Sequence, residues 1–114
     1  MASKVYTLTE TTDRTGYVLG VFAERAMALD AARSWARHRI DHCLRQDEAT
    51  LGRPVPADTY VIAADEPDEH AKISIIHQPS GETDGLAWQI WPFDVVERER
   101  HEHAEIADPM ANPA

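Results

Sequence analysis

Two hydrophobic periods divide the chain. Val5-Tyr6-Thr7-Leu8-Thr9 is rich in β-branched and aromatic residues and predicts a first strand. Asp13-Arg14-Thr15-Gly16 reads as a turn, and Tyr17-Val18-Leu19-Gly20-Val21-Phe22 as a second strand, close enough to form a hairpin with the first. Gly20 inside that strand suggests a bulge or a close approach by the helix.

From about Glu24 to Asp47 the period becomes helical. Leu29, Ala32, Ala36, Ile40 and Cys43 fall on one stripe, with Ala28 and Trp35 on its shoulder. Asp30, Ser34, Arg37, His38, Asp41 and Arg45 point away from it. The stripe is mostly small, so the helix can lie close to a sheet. Glu24 is expected in its first turn and Arg45 in its last, both suited to the helix dipole.

Gly52-Arg53-Pro54-Val55-Pro56 ends the helix in a stiff loop. Strand patterns return at Thr59-Tyr60-Val61-Ile62-Ala63-Ala64, at Lys72-Ile73-Ser74-Ile75-Ile76-His77 and at Leu86-Ala87-Trp88-Gln89-Ile90-Trp91. Pro92 interrupts the last, and its missing N–H argues for an edge position or a bulge. Phe93, Val95 and Val96 continue it.

The order β-β-α-β-β-β defines an α+β fold: an antiparallel sheet of about five strands with one long amphipathic helix on one face. Residues 1–96 form a single domain; 97–114 is a charged C-terminal segment, helical or disordered, ending in a disordered tail. Arg98 with Glu102 and Glu97 with Arg100 have helical spacing.

One helix covers one sheet face. Leu86, Trp88 and Ile90 share a face of the last strand, while Ala87, Gln89 and Trp91 share the other; Tyr17, Leu19 and Val21 oppose Val18, Gly20 and Phe22. Large apolar groups thus fall on both faces, whereas a face open to water should be polar. Either the segment carrying Phe93, Val95 and Ile106 folds back over the second face, or that face is an interface. Tyr17, Trp88, Trp91 and Phe93 are the candidate interaction residues.

Charge sharpens this picture. The formal net charge is −9, from 20 acidic and 11 basic residues. Residues 1–60 balance, and the whole excess lies after residue 60. That half would repel phosphate backbones, so direct nucleic-acid binding is not expected. Cys43 is the single cysteine, which excludes an internal disulfide and a thiolate zinc cluster. Met1-Ala2-Ser3-Lys4 lacks the apolar run of a signal peptide, and no stretch approaches the ~18 apolar residues of a membrane span. A cytoplasmic location, with no membrane partner, is the expectation.

No motif carries a catalytic or cofactor signature, and no cofactor is expected. His38 and His42 are four apart on the helix and could reach one metal ion, with Asp41 nearby, but no third ligand follows at a recognisable spacing. His101-Glu102-His103-Ala104-Glu105 lacks the second histidine of the zincin motif at its required position. His77 has no evident orienting carboxylate. Asp65, Glu66, Asp68 and Glu69 lack the calcium-loop pattern and read as a solvated hairpin tip.

The sequence therefore points to a non-enzymatic interaction or accessory module, acting as a homodimer or on another protein. The alternatives are an acidic mimic of nucleic acid that inhibits a DNA-binding protein, and a small-ligand or metal-dependent enzyme using His38, His42 or His77.

Overall fold

The computed structural model describes residues 3–95 of the 114-residue chain. Strands β1 (Ser3–Thr11) and β2 (Gly16–Phe22) form the expected hairpin, and helix α1 (Arg25–Leu51) follows. A single 3-10 turn (Ala57–Thr59) leads into a meander of β3 (Tyr60–Asp65), β4 (Ala71–His77) and β5 (Glu82–Val95). All pairings are antiparallel, in the spatial order β2-β1-β5-β4-β3. The α+β class and the element order agree with the sequence pattern. The closing step is the pairing of the first strand with the last, Leu8 opposite Ile90.

Helix α1 lies across one face and the core forms beneath it. Leu8, Ala71, Ile73, Ile75, Trp88 and Ile90 from the sheet meet Ala28, Leu29, Ala32 and Ala36 from the helix. The alanines are fully buried. Without long side chains the backbone can approach the sheet, so apolar area comes mainly from the strands, at ~25 cal/mol per Å² removed from water. Trp88 is the largest side chain in this core, 1% exposed.

The helix runs four residues beyond the expected end at Asp47. At ~1.5 Å per residue, its 27 residues span ~40 Å, against a five-strand sheet about 24 Å wide at ~4.8 Å per strand. Its last turns therefore overrun the sheet, and Tyr60 of β3 reaches them by donating its hydroxyl to Asp47 at 2.6 Å. Gly52 ends the helix with φ 70°, its N–H donating to the Glu48 carbonyl at 2.8 Å. That left-handed cap is open to glycine at little cost.

The expected dipole partners fall elsewhere. Glu24 is the N-cap and makes no side-chain capping bond, and the final turn holds no basic residue. Arg45 sits too far from the end because the helix is longer than its apolar stripe.

Pro92 lies within β5, the central strand of the sheet. It sits opposite Tyr6 of β1, two residues past Ile90, where pairing with β4 stops. Locally the strand has one neighbour, and the missing N–H leaves no ladder bond unmade. The edge signal is met by a local edge in an otherwise interior strand.

The acidic β3–β4 loop is exposed at Asp65–Asp68, as expected of a solvated hairpin tip, and is also tied down. Arg25 donates to the Glu69 carbonyl at 3.1 Å, to the Asp68 carbonyl at 3.3 Å and to the Glu66 carboxylate at 3.2 Å. Arg33 also pairs with Glu66, and Lys4 with Glu69. The Lys4 ammonium, helped by the Tyr6 hydroxyl, holds the Glu69 carboxyl below the usual carboxylate range. The loop carboxylates thereby clip the start of the helix and the start of β1 together.

A candidate interaction surface on the open sheet face

The sheet's second face is uncovered by any described residue. Alternate positions place Val5, Thr7, Thr9 and Thr11 of β1 there, beside Ala87, Gln89, Trp91 and Phe93 of β5. Lys72, Ser74 and Ile76 of β4 and Val61, Ala63 and Asp65 of β3 continue it.

This face is almost free of charge, although the chain carries −9. Asp65 and Lys72 are the only charged residues on these rows, and they lie directly opposite one another in the ladder. The middle is a row of threonines with Gln89; Val61, Ala63 and Ile76 lie towards β3 and β4, Val18 lies beside Thr9, and the exposed aromatic rings stand at one corner. There Phe93 pairs with Val5 and Trp91 with Thr7, and Thr7 in turn pairs with Val21. Phe93 is 54% exposed, Val21 60% and Trp91 40%.

Trp91 is held in place. Its indole N–H donates to Thr9 Oγ1 at 3.3 Å, and its ring packs on His70 with centroids 4.3 Å apart. His70 meets Gln89 Oε1 at 3.2 Å. Fixing the ring before contact lowers the side-chain entropy lost on association, ~0.5–1.5 kcal/mol per immobilised side chain.

The four candidate interaction residues separate. Trp91 and Phe93 lie on the open face. Trp88 belongs to the helix-covered core, so it offers no surface to a partner. Its indole N–H donates to Glu10 at 3.0 Å beneath the helix. Tyr17, 60% exposed, pairs with Glu10 and so lies on the helix side of β2, not beside Trp91. The strict alternation expected for β2 fails at a β-bulge: Leu8 pairs with Gly20 and Thr9 with Val18, leaving Leu19 as the extra residue. That insertion brings Val18 and Val21 to the same face.

Phe93 and Val95 do not fold back across the open face. They extend β5 in register with Val5 and Ser3. Ile106, the zincin-like run at 101–105, the charge pairs at 97–102 and the tail lie outside the described residues. Val5, Thr9 and His70 were missed as members of the corner. Val5 and Thr9 show the right alternation in sequence, but the strand they would face is 80 residues away.

The other candidates resolve into local structure. His77 Nδ1 meets Ser80 Oγ at 2.7 Å, and the same hydroxyl accepts the Glu82 N–H at 3.2 Å, which closes the β4–β5 turn. Among the described residues no carboxylate hydrogen-bonds His77. His38 and His42 are exposed on the helix, and no three His, Cys, Asp or Glu side chains among the described residues come together to hold a metal ion. Acidic groups gather at both ends of the β3–β5 meander. Several are neutralised, Glu66 by arginines, Glu69 by Lys4 and Asp84 by a two-bond contact with Arg39 at 3.0 and 3.2 Å. Cys43 is buried as a free thiol, and burial pushes it above its ordinary range. No helix of the described residues is long and apolar enough to cross a membrane.

No family model, no curated protein and no solved structure matches the chain.

Proposed function

We propose that the protein is a small non-enzymatic interaction module that associates through its open sheet face with a second copy of itself. The observation behind this reading is the neutral face with a pinned tryptophan and an exposed phenylalanine at one corner, on a strongly acidic chain. A surface selected only for solubility would carry its charge there as elsewhere.

Size is consistent with the reading. Five strands at ~4.8 Å and about seven residues at ~3.3 Å give a planar footprint on the order of 550 Å². Side-chain relief raises the accessible area above that, towards the ~800 Å² that each partner buries in a stable complex. Two open faces packed at the usual sheet-on-sheet angle would bury Trp91 and Phe93 of both copies. Because the face carries only the Asp65–Lys72 pair, association through it sets no excess of like charge from the described residues against the partner. Cys43 as the single cysteine fits a reducing compartment such as the cytoplasm.

Sedimentation velocity across a concentration series tests the proposal. The expected result is a dimer that the Trp91→Asp/Phe93→Asp double substitution converts to monomer with its circular dichroism unchanged. A monomer at every concentration, or a dimer indifferent to that substitution, overturns it.

A further inference from the structure

The sheet ends at β2, which pairs with β1 on one side and with no described residue on the other. An unpaired strand edge invites a further strand, and proteins blunt such edges with lysines, prolines or bulges. Gly16-Tyr17-Val18-Leu19-Gly20-Val21-Phe22 holds no charge and no proline, on a chain of net charge −9. Tyr17, Val18 and Val21 stand exposed on it. The bulge at Leu19 is its one protective feature.

The charges at the two ends of β2 complement each other. Asp13-Arg14 precedes the strand and Glu24-Arg25 follows it, the same acid–base order at both ends. Two copies of β2 running antiparallel about Leu19 therefore set Arg14 of one opposite Glu24 of the other, and Asp13 opposite Arg25. Arg14 and Glu24 are exposed and form no ion pair among the described residues. The same centre matches bulk to glycine, with Phe22 opposite Gly16 and Val18 opposite Gly20. An aromatic ring laid across an edge glycine shields the backbone there. Leu19 meets its own counterpart at the axis, so the ladder runs on either side of the bulge. The other edge lacks this complementarity: antiparallel self-pairing of β3 about Ile62 would set Asp58 against Glu66.

From this self-complementary pattern we infer that the outer edge of β2 pairs antiparallel with β2 of a second copy. Main-chain hydrogen bonds supply the attraction, and the charges at the ends fix direction and register. Seven residues at ~3.3 Å give a seam ~23 Å long and one ~4.8 Å strand spacing wide. That is far below the ~800 Å² each partner buries in a stable complex, so the dissociation constant is on the order of 100 μM. The seam is distinct from the open-face association, which rests on Trp91 and Phe93, and adds to it only at high protein concentration. Two self-complementary surfaces on one chain allow assemblies larger than a dimer.

Sedimentation equilibrium from about 10 μM to about 1 mM tests this in the Trp91→Asp/Phe93→Asp variant, where face-to-face association is removed. The expected result is monomer at the low end and dimer at the high end. Added to that variant, Arg14→Glu or Glu24→Arg alone should weaken the dimer about fivefold or more, by setting like charges opposite one another. The two together should restore it. Neither side chain makes a hydrogen bond among the described residues, so circular dichroism should not change. Three outcomes overturn the inference: monomer at every concentration, association indifferent to the single reversals, or a loss that the paired reversal does not restore. Slow amide exchange along the outer edge of β2 in the monomer would show that another segment of the same chain holds the edge, and overturns it as well.

Discussion

Trp88 and Trp91 are three residues apart on one strand and live in different environments. The odd spacing puts them on opposite faces of β5: Trp88 is 1% exposed beneath three alanines of the helix, and Trp91 is 40% exposed beside threonines. Both indole N–H groups are satisfied, one by a carboxylate and the other by a hydroxyl. The difference is what covers them. The helix-covered face has exchanged water for close packing and cannot lose volume cheaply, whereas the open face has kept its large groups in water and can still gain from burial.

The sharpest test of that contrast is to remove each ring in turn. Trp88→Ala should cost about 3–5 kcal/mol in urea unfolding, because it leaves a cavity and an unpaired Glu10. Trp91→Ala should cost under about 1 kcal/mol in the monomer, since the position is already solvated. Near-equal losses would break the distinction between the faces.

A smaller effect is expected at the helix cap that limits the covered face. Gly52→Ala places a side chain at φ 70° and should lower stability by about 1 kcal/mol, read as a shifted urea midpoint. No atom stands within 4 Å of the added Cβ, so the loss would report backbone strain alone.

At the margin of the covered face the contrast can be sharpened by pH. The Tyr60 phenol is pushed up to about 12, chiefly because it donates to Asp47 and then by burial. A raised folded-state value stabilises the protonated form. That contribution is fully present below pH 10, the phenol's ordinary value, and is lost as pH rises towards 12. Urea midpoints of wild type and Tyr60→Phe should converge over that range, while Trp91 variants should track wild type throughout.

The smallest expected effect is on the open face itself. Thr9→Ala removes the acceptor that pins Trp91 and should change monomer stability by about 0.5 kcal/mol or less, within the range of surface substitutions. Dimer dissociation should become faster, because the ring must then be ordered at contact. An unchanged off-rate would show that Trp91 needs no pin.

Much of the fold was legible because its signals are local. Period-two alternation in Val5–Thr9 and Leu86–Trp91, and the alanine stripe from Ala28 to Ala36, depend only on neighbours a few residues away. They marked the five strands, the helix and the face each residue from Leu86 to Trp91 would take, whereas Glu82–Gly85, which read as part of a turn, open β5. The helix end was read short because its last turns lie beyond the sheet and carry no apolar stripe, although the Gly52 signal was present.

The candidate surface was legible only in part, for a reason that begins at Leu19. One extra residue opposite the Leu8–Thr9 step turns the rest of β2 over. Tyr17 thereby joins the helix side and Val18 joins Val21 on the open face. Nothing in Tyr17–Phe22 alone distinguishes that insertion from regular alternation, apart from the weak hint of Gly20. Trp88 was grouped with Trp91 as an anchor because composition marks both as large aromatics, and only the helix packed on one side separates them.

Local chemistry, written in the sequence, determined the elements, their order and the two-sided character of β5. The tertiary structure alone decided that β5 would pair with β1 and become central, and that the acidic loop would be clipped to Lys4, Arg25 and Arg33. These contacts join residues some 30 to 90 positions apart, where the free energy lies in contacts and desolvation between distant segments, and no local period encodes it.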